Sequence, residues 1–401
     1  MLITCDIVVR CEMRITFISN YISHHQTPFC EALRDYIDGE FIFVSTEPVE
    51  NERLDLGWKN TEKCPYELRI WESEEERSHA EKVINDSDVV IIGSAPDSLI
   101  VNRLKQGKLT FKYAERFYKT GTPLKRLPRD IAAAWLHHGR FQKYPLYMLC
   151  ASAYTAGDAA RFGNYKNRCY KWGYFPETIY YDEDELFRKK NHEVPEILWA
   201  GRFLGLKHPD DAIRVAERLK RDGYSFKLNF IGTGSMENQI HQMILDEKLE
   251  DWVQMLGVMK PDDVREHMER ANIYLFTSDR NEGWGAVLNE SMNSGCAVVA
   301  SHAIGSVPFL VKDNENGLIY ESGNLDMLYE KVKYLLECPE EQTRLGKAAY
   351  HTMVETWNAE TAAKRLIKLS ERLLQGEKYP DLFSEGPCST AKILDERWFG
   401  K

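Results

Sequence analysis

NEGWGAVLNESMNSG, residues 281–295, lies between two short apolar runs, IYLF at 273–276 and CAVVA at 296–300. Short apolar runs bounded by turn residues are typical of buried strands. Between them, five side chains recur at the spacing of one helix face: Trp284, Val287, Leu288, Ser291 and Met292. Gly295 follows where a glycine cap ends a helix. The stretch therefore predicts a strand, a glycine-rich turn, a helix and a second strand, a unit that directs the helix start toward an anion-binding crevice.

Two carboxylates, Glu282 and Glu290, stand eight residues apart in this unit. Taken singly, Glu282 would only favour a helix N-terminus electrostatically, and Glu290 lies off the apolar stripe, as a solvated side chain does. Together with the glycines they resemble the Glu-x7-Glu signature of the retaining glycosyltransferases of family four, which have the GT-B fold. The following GCAVVAS, residues 295–301, is similar to the next strand of that family.

A basic pair follows the first strand of the second half. The run EILWAG, residues 196–201, predicts a strand, and Arg202 and Lys207 come directly after it. As isolated residues they would be surface charges. A diphosphate needs fixed cations, and arginine can hold two of its oxygens while lysine supplies a point charge. The pair resembles the one that contacts the donor diphosphate in this family.

The resemblance implies a role for each matching residue. Glu282 would contact hydroxyls of the donor sugar and Glu290 the ribose hydroxyls. Arg202, Lys207 and the predicted helix start would stabilise the departing diphosphate without a metal or any other cofactor, the co-substrate being a UDP- or GDP-linked sugar. The remaining positions expected at the donor are Gly232 and Gly234 in the second crevice turn, Val258 and Met259 beside the base, and the helix-start residues Gly283, Trp284, Gly285 and Ala286.

The first half is supported by its pattern of strands and helices alone. The loop after the predicted strand 14–19 carries Asn20 and His25, which we expect on the acceptor or sugar side, although ordinary loop polarity explains them equally well. The neighbouring histidines His24 and His25 have no third ligand at metal spacing, so we expect no zinc site there. Glu115 follows the predicted strand 109–113 where many relatives have a histidine that reaches the donor sugar. Its alternative is a salt bridge with a neighbouring Lys or Arg.

Length and composition set the broad class. With 401 residues, 43% hydrophobic and 28% charged, the chain predicts two or three domains. The net charge of −10 argues against a nucleic-acid binder. Nine cysteines without a Cys-x-x-Cys pair suggest buried thiols in a reducing compartment. No apolar run is long enough to span a bilayer and no signal peptide is evident, so we expect a cytoplasmic protein whose residues 1–12 are an extension or an upstream start.

Residues 101–147 stand apart in charge. They hold 11 Lys and Arg against Glu115 and Asp130, a local +9 that leaves −19 for the rest of the chain. Aromatic residues are interleaved with these charges. The region is either a solvated basic face or a surface for attachment to an anionic membrane, on the inner face of the cell membrane; an anionic acceptor would suit it as well.

Alternating strands and helices in both halves predict an α/β protein with two doubly wound, Rossmann-like domains facing a central cleft. We expect an acceptor-binding domain at 1–185, completed by a C-terminal helix within 356–401, and a nucleotide-sugar-binding domain at 186–355. The acidic run 182–184 contains Asp-x-Asp, but it lies in a linker, so we expect no metal there.

The resemblance implies transfer of a sugar from a nucleotide diphosphate to a hydroxyl of a polysaccharide or lipid-linked oligosaccharide. A nucleotide-sugar 2-epimerase of the same fold is one alternative, and it would convert the donor without an acceptor. A non-catalytic nucleotide-sugar-binding protein is another, and loss of one of the four charged residues would mark it; all four are present.

Overall fold

Two parallel sheets organise the chain. The computed structural model describes residues 12–49, 63–119, 121 and 123–400, so the predicted extension at 1–12 lies, apart from Glu12, outside the described residues. Within them the first sheet has seven strands in the order β3-β2-β1-β4-β5-β6-β7. Its strands are β1 Arg14–Ser19, β2 Glu40–Ser45, β3 Glu67–Arg69, β4 Val89–Ile92, β5 Leu109–Ala114, β6 Leu146–Cys150 and β7 Cys169–Lys171.

The second sheet has six strands among the described residues, in the order β10-β9-β8-β11-β12-β13. These are β8 Glu196–Ala200, β9 Lys227–Ile231, β10 Val253–Met255, β11 Ile273–Phe276, β12 Ala297–Ser301 and β13 Leu318–Tyr320. The strands of both sheets pair in parallel with their neighbours, and β4, β8, β11 and β12 are buried along their whole length. Fully buried parallel strands explain why their sequences are almost continuously apolar.

Helices connect the strands. The first domain contains α1 Thr27–Tyr36, α2 Glu74–Asp86, α3 Val101–Lys105, α4 Leu127–His137 and α5 Thr155–Ala160. After them come α6 Glu183–Arg188, α7 Pro209–Arg221, α8 Glu237–Asp246, α9 Pro261–Arg270, α10 Val287–Asn293, α11 Val307–Leu310, α12 Leu325–Glu337, α13 Pro339–His351 and α14 Ala359–Leu374. The predicted architecture of two doubly wound domains is confirmed. None of the described helices is both long and apolar enough to cross a lipid bilayer.

Each sheet reverses its strand order at one point, between β1 and β4 in the first and between β8 and β11 in the second. In doubly wound sheets, ligands bind beyond the carboxyl ends of the strands at this switch point. Residues that follow all four strands line a single cleft: Asn20 after β1, Gly93 after β4, Arg202 after β8 and Glu282 after β11. The two switch points therefore share one site.

The C-terminal part of the chain returns to the first domain. Helix α14 packs on α1, and Lys364 lies 4.3 Å from the ring centroid of Tyr36. Farther along, Ser389 accepts a hydrogen bond from the Lys171 N–H, and Tyr170 forms an antiparallel bridge with Thr390, so this segment lies beside β7. The boundary predicted at 185/186 falls inside α6, and the predicted domain limits stay a prediction.

Trp284 lies at an apolar contact between the domains. Its side chain is fully buried, and its ring centroid lies 5.9 Å from that of Trp357. Gly173 of the first domain passes so close that a methyl group there would lie 2.3 Å from the Trp284 ring. The indole N–H donates to Asn289 Oδ1 at 2.9 Å, and the Asn289 amide donates to the Tyr174 carbonyl at 3.2 Å. The Trp284 side chain thus holds the loop before α10 against the segment that follows β7.

Replacing Trp284 by Ala should lower the free energy of unfolding by about 3–5 kcal/mol, because it leaves a large cavity at the domain contact. Trp135→Ala is the matched control, since that side chain is 60% exposed, and it should change stability by no more than about 0.5 kcal/mol. Urea unfolding followed by circular dichroism measures both. Equal effects of the two substitutions would contradict the packing described here.

Candidate active site

A cleft of about 1060 Å³ lies between the carboxyl ends of the two sheets. It brings together most of the residues singled out in the sequence: Asn20, His25, Glu115, Arg202, Lys207, Gly232, Val258, Met259, Glu282, Gly283, Gly285, Ala286 and Glu290. Gly234 and Trp284 are not among the residues that line it. Side chains from two domains and from many separate loops therefore converge at one place.

Lys207 and Glu282 form an ion pair in this cleft between Lys207 Nζ and Glu282 Oε2. Ser278 Oγ also donates to that carboxylate oxygen, at 3.0 Å. The backbone of Lys207 is fixed as well, because its carbonyl accepts from Thr277 Oγ1 at 2.6 Å, and Trp199 Nε1 donates to the same hydroxyl at 2.9 Å. The loops after β8 and β11 are thus tied together, with one cation and one carboxylate in contact.

Arg202 is exposed at the mouth of the same cleft, two residues after β8. It shares a cleft wall with Lys207, so both cations of the predicted pair face the same space. The guanidinium can make two parallel hydrogen bonds to an oxyanion, while the ammonium adds a compact charge. This is a suitable arrangement for a diphosphate.

The loops after β8 and β9 approach each other closely at two glycines. Gly232 has a φ of +130°, and a Cβ there would lie 2.0 Å from the Gly201 carbonyl oxygen. A Cβ on Gly234 would lie 2.6 Å from the Phe203 carbonyl oxygen. The Gly232 N–H in turn donates to the Gly257 carbonyl at 2.8 Å. Gly234 therefore shapes the turn without lining the cleft, whereas Val258, just after Gly257, is 56% exposed at the cleft wall.

Glu290 lines the cleft although a helical wheel places it on a solvated side. Burial raises the pKa of its carboxyl, and the neighbouring positive charge of Arg265 opposes that rise. Arg265 also donates to the Glu290 carbonyl at 3.2 Å and to Asn293 Oδ1 at 3.1 Å. The arginine thereby anchors α10 to α9 and was not identified from the sequence, where it looks like any charged residue of an amphipathic helix.

Glu115 meets the second domain directly. Its carboxylate accepts from Tyr174 Oη at 2.9 Å and from Lys119 Nζ at 2.9 Å. A methyl group on Gly283 would lie 1.7 Å from Glu115 Oε2, so the carboxylate rests against the Gly283 backbone. Both interpretations of Glu115 therefore describe part of its surroundings: it pairs with a neighbouring lysine, and it faces the cleft beside the loop that carries Glu282.

The helix predicted over the glycine-rich stretch begins later than expected. We placed Trp284 on its apolar face, but α10 begins at Val287, and residues 283–286 form the loop before it. The prediction was wrong for Trp284 because its ring packs across the domain contact rather than on its own helix. The helix end was predicted correctly: Gly295 has a φ of +69°, and its N–H donates to the Met292 carbonyl at 3.0 Å.

Asn20 and His25 occupy the first-domain wall. The Asn20 carbonyl accepts from the N–H groups of Thr46 and Glu47, both at 2.8 Å, which fixes the start of the loop. The His25 ring lies parallel to the Tyr174 ring with centroids 6.1 Å apart. Tyr174, which the sequence did not identify, therefore connects this loop to Glu115.

Two acidic groups outside the cleft have local partners. In the acidic run 182–184, Asp182 Oδ1 accepts from the Glu185 N–H and caps α6. The absence of a metal there stays a prediction. Among the described residues, one group has three possible metal ligands close together, namely His208, Asp210 and Asp211. Its two carboxylates each lie 3.1 Å from Arg214.

Residues 182–352 match the family model described as glycosyl transferases group 1. The match covers the second domain, which is therefore similar to this family. Over 187 residues the chain is 28% identical to the amylovoran biosynthesis glycosyltransferase AmsK of Erwinia amylovora. The matched region covers 45% of this chain and 46% of that relative. It is 24% identical over 200 residues to the poly(ribitol-phosphate) alpha-N-acetylglucosaminyltransferase of Staphylococcus aureus. That match covers 47% of this chain and 40% of the relative.

The fold comparison extends over most of the chain. The crystal structure of HepE from Anabaena in complex with UDP and glucose superposes with a TM-score of 0.62 at 13% identity, covering 90% of this chain and 100% of that one. The fold is therefore GT-B, as predicted. The chain spans about half the length of the curated relatives it matches.

Gly283→Ala should destabilise the protein by about 1 kcal/mol, because Glu115 would have to leave its bonds to Tyr174 and Lys119. In a Glu115→Ala background the same substitution should cost much less, and a double-mutant cycle on urea unfolding measures the difference. Gly205→Ala is the control, since a Cβ there meets nothing within 4 Å. Additive effects of the Glu115 and Gly283 changes would refute their contact.

Proposed function

We propose that the protein transfers a sugar from a nucleotide-diphosphate donor to a hydroxyl of a polysaccharide or lipid-linked oligosaccharide. The observation that carries the proposal is the convergence of Arg202, Lys207, Glu282 and Glu290 in one interdomain cleft. The group 1 match of the second domain and the glycosyltransferase relatives support the same reaction. The 2-epimerase and the non-catalytic binding protein remain its alternatives.

The donor diphosphate would lie between Arg202 and Lys207. In the structure Lys207 is neutralised by Glu282, so the arriving diphosphate would take over part of that pairing. The loop 283–286 and the start of α10 would supply further backbone N–H groups on the same side, apart from the Leu288 N–H, which donates to the Gly285 carbonyl at 3.0 Å. Donors fixed where negative charge develops stabilise the departing diphosphate.

The sugar would lie between two carboxylates from opposite domains. Glu282 approaches from the second domain and Glu115 from the first, and Glu115 touches Gly283, the residue next to Glu282. Both carboxylates would accept hydrogen bonds from sugar hydroxyls, and each already has a lysine nearby to balance its charge. Glu290 would accept from the ribose hydroxyls, with Val258 and Met259 beside the base. The acceptor hydroxyl would enter past Asn20 and His25.

We further propose that the reaction retains the anomeric configuration and needs no metal, as the resemblance to family four implies. The leaving phosphate oxygen would accept the proton of the acceptor hydroxyl, so no dedicated protein base is required. A donor bound between the domains would be shielded from water, which otherwise competes with the acceptor. The seven described cysteines are all free, and we propose a cytoplasmic site of action.

Arg202→Ala and Lys207→Ala should each lower turnover by roughly a hundredfold or more, because each removes one fixed charge from the leaving diphosphate. Arg214→Ala, an exposed change on α7 away from the cleft, is the control. The measurement is release of nucleoside diphosphate from a panel of nucleotide sugars, with and without acceptor and in the presence of EDTA. Unchanged rates in both cleft variants would refute the diphosphate assignment, and epimerised donor without acceptor would favour the 2-epimerase.

Nucleotide binding should weaken as the pH falls from neutral. The weakening should begin at a higher pH than it would if Glu290 had the pKa of an ordinary glutamate. Burial raises the pKa of Glu290, so its charge is lost earlier on acidification, and with it the best acceptor for two ribose hydroxyls. Glu290→Gln should bind more weakly at neutral pH and lose this part of the pH dependence. Calorimetric titration with UDP and GDP tests it, with Glu217→Gln, a partly exposed glutamate of α7 outside the cleft, as control. A Glu290→Gln profile that parallels the unmodified protein would contradict the ribose assignment.

A further inference from the structure

The outward side of α4 is apolar. Four large apolar side chains in this helix and the turn before it are strongly exposed: Leu124 at 86%, Ile131 at 49%, Trp135 at 60% and Leu136 at 44%. Among the described residues, no other helix has more than one exposed large apolar side chain. Ile131, Trp135 and Leu136 are spaced so that one side of the helix presents all three.

This arrangement reverses the usual one. A surface helix normally turns its apolar side toward the core and its charged side toward water. In α4 the buried positions are Asp130 and Ala134, while the tryptophan and the isoleucine face solvent. Contiguous exposed apolar surface of this kind marks an interaction site. The described part of the chain does not cover it.

Positive charge borders the same face. Lys125, Arg126 and Arg129 are exposed in the turn and the first part of α4, although the whole chain has a net charge of −10. Arg126 Nη2 lies 4.0 Å from Asp130 Oδ1. Farther back in the basic region, Lys112 lies 2.7 Å from Asp97 and Lys119 lies 2.9 Å from Glu115. Residues 124–136 therefore combine exposed cationic and exposed apolar side chains on one face, which we term the α4 face.

We propose that the α4 face docks on a lipid bilayer that carries anionic headgroups. Its apolar side chains would enter the boundary between headgroups and acyl chains, and its cations would contact the headgroups. A tryptophan at the edge of an apolar face suits this boundary because its ring is amphipathic. The proposal rests on the proposed function in one respect. The cleft residues Glu115 and Lys119 lie just before this segment in the sequence, so docking would bring the cleft close to a lipid-linked acceptor.

The experiment is flotation of the full chain with vesicles of phosphatidylcholine and phosphatidylglycerol, and with vesicles of phosphatidylcholine alone. Ile131→Ser/Trp135→Ser/Leu136→Ser and Lys125→Glu/Arg126→Glu/Arg129→Glu should each reduce binding to the anionic vesicles by roughly tenfold or more. The matched controls are Leu245→Ser, 42% exposed on α8, and Lys105→Glu on α3, and both should bind as the unmodified chain does. Thermal unfolding of every variant verifies its fold.

Binding that persists in the apolar variant, or no binding by the unmodified chain, would overturn the proposal. So would a dimer in sedimentation equilibrium that the apolar variant abolishes, since a second copy would then be the occupant of the α4 face. Vesicle binding is measured without substrate. A chain that docks but transfers no sugar therefore contradicts only the proposed function, and an active chain that does not dock contradicts only the docking.

Discussion

The packing of Trp284 against Gly173 is the constraint on which the arrangement of the cleft depends. Because the ring occupies the space where any other residue at 173 would have a side chain, the two domains meet in a defined position. The flanking residues are placed by the same contact: Gly283 lies against Glu115, and Asn289 is tied to the Tyr174 backbone. A loop that carries a candidate catalytic carboxylate is thus held by a residue that does not itself line the cleft.

Charge balance within the cleft follows from this placement. Glu282 is paired with Lys207 and Glu115 with Lys119, so the two carboxylates that face each other across the domains do not stand unpaired. Glu290 lies deeper, where burial raises its pKa. Such perturbed groups in a cleft are typical of functional sites. The exposed Arg202 at the mouth extends the positive charge toward an incoming anion.

The sequence predicted the second domain well because its signals are local. The strand predicted from Glu196 starts at the observed residue, since an apolar run closed by a glycine marks it within a few positions. Features that depend on distant partners were not predictable. Helical spacing assigned Trp284 to α10 and left Glu290 in solvent, because a helical wheel does not include a second domain. The pairing of Tyr170 with Thr390 and the pairing of Lys112 with Asp97 equally have no local signal.

A crystal structure of the protein with bound UDP or GDP tests the central claim most directly. We expect the diphosphate between Arg202 and Lys207, the ribose within hydrogen-bonding distance of Glu290, and the base beside Val258 and Met259. Lys207 should then be closer to a phosphate oxygen than to Glu282. A nucleotide bound outside the interdomain cleft, or with its ribose and diphosphate away from these residues, would contradict the account.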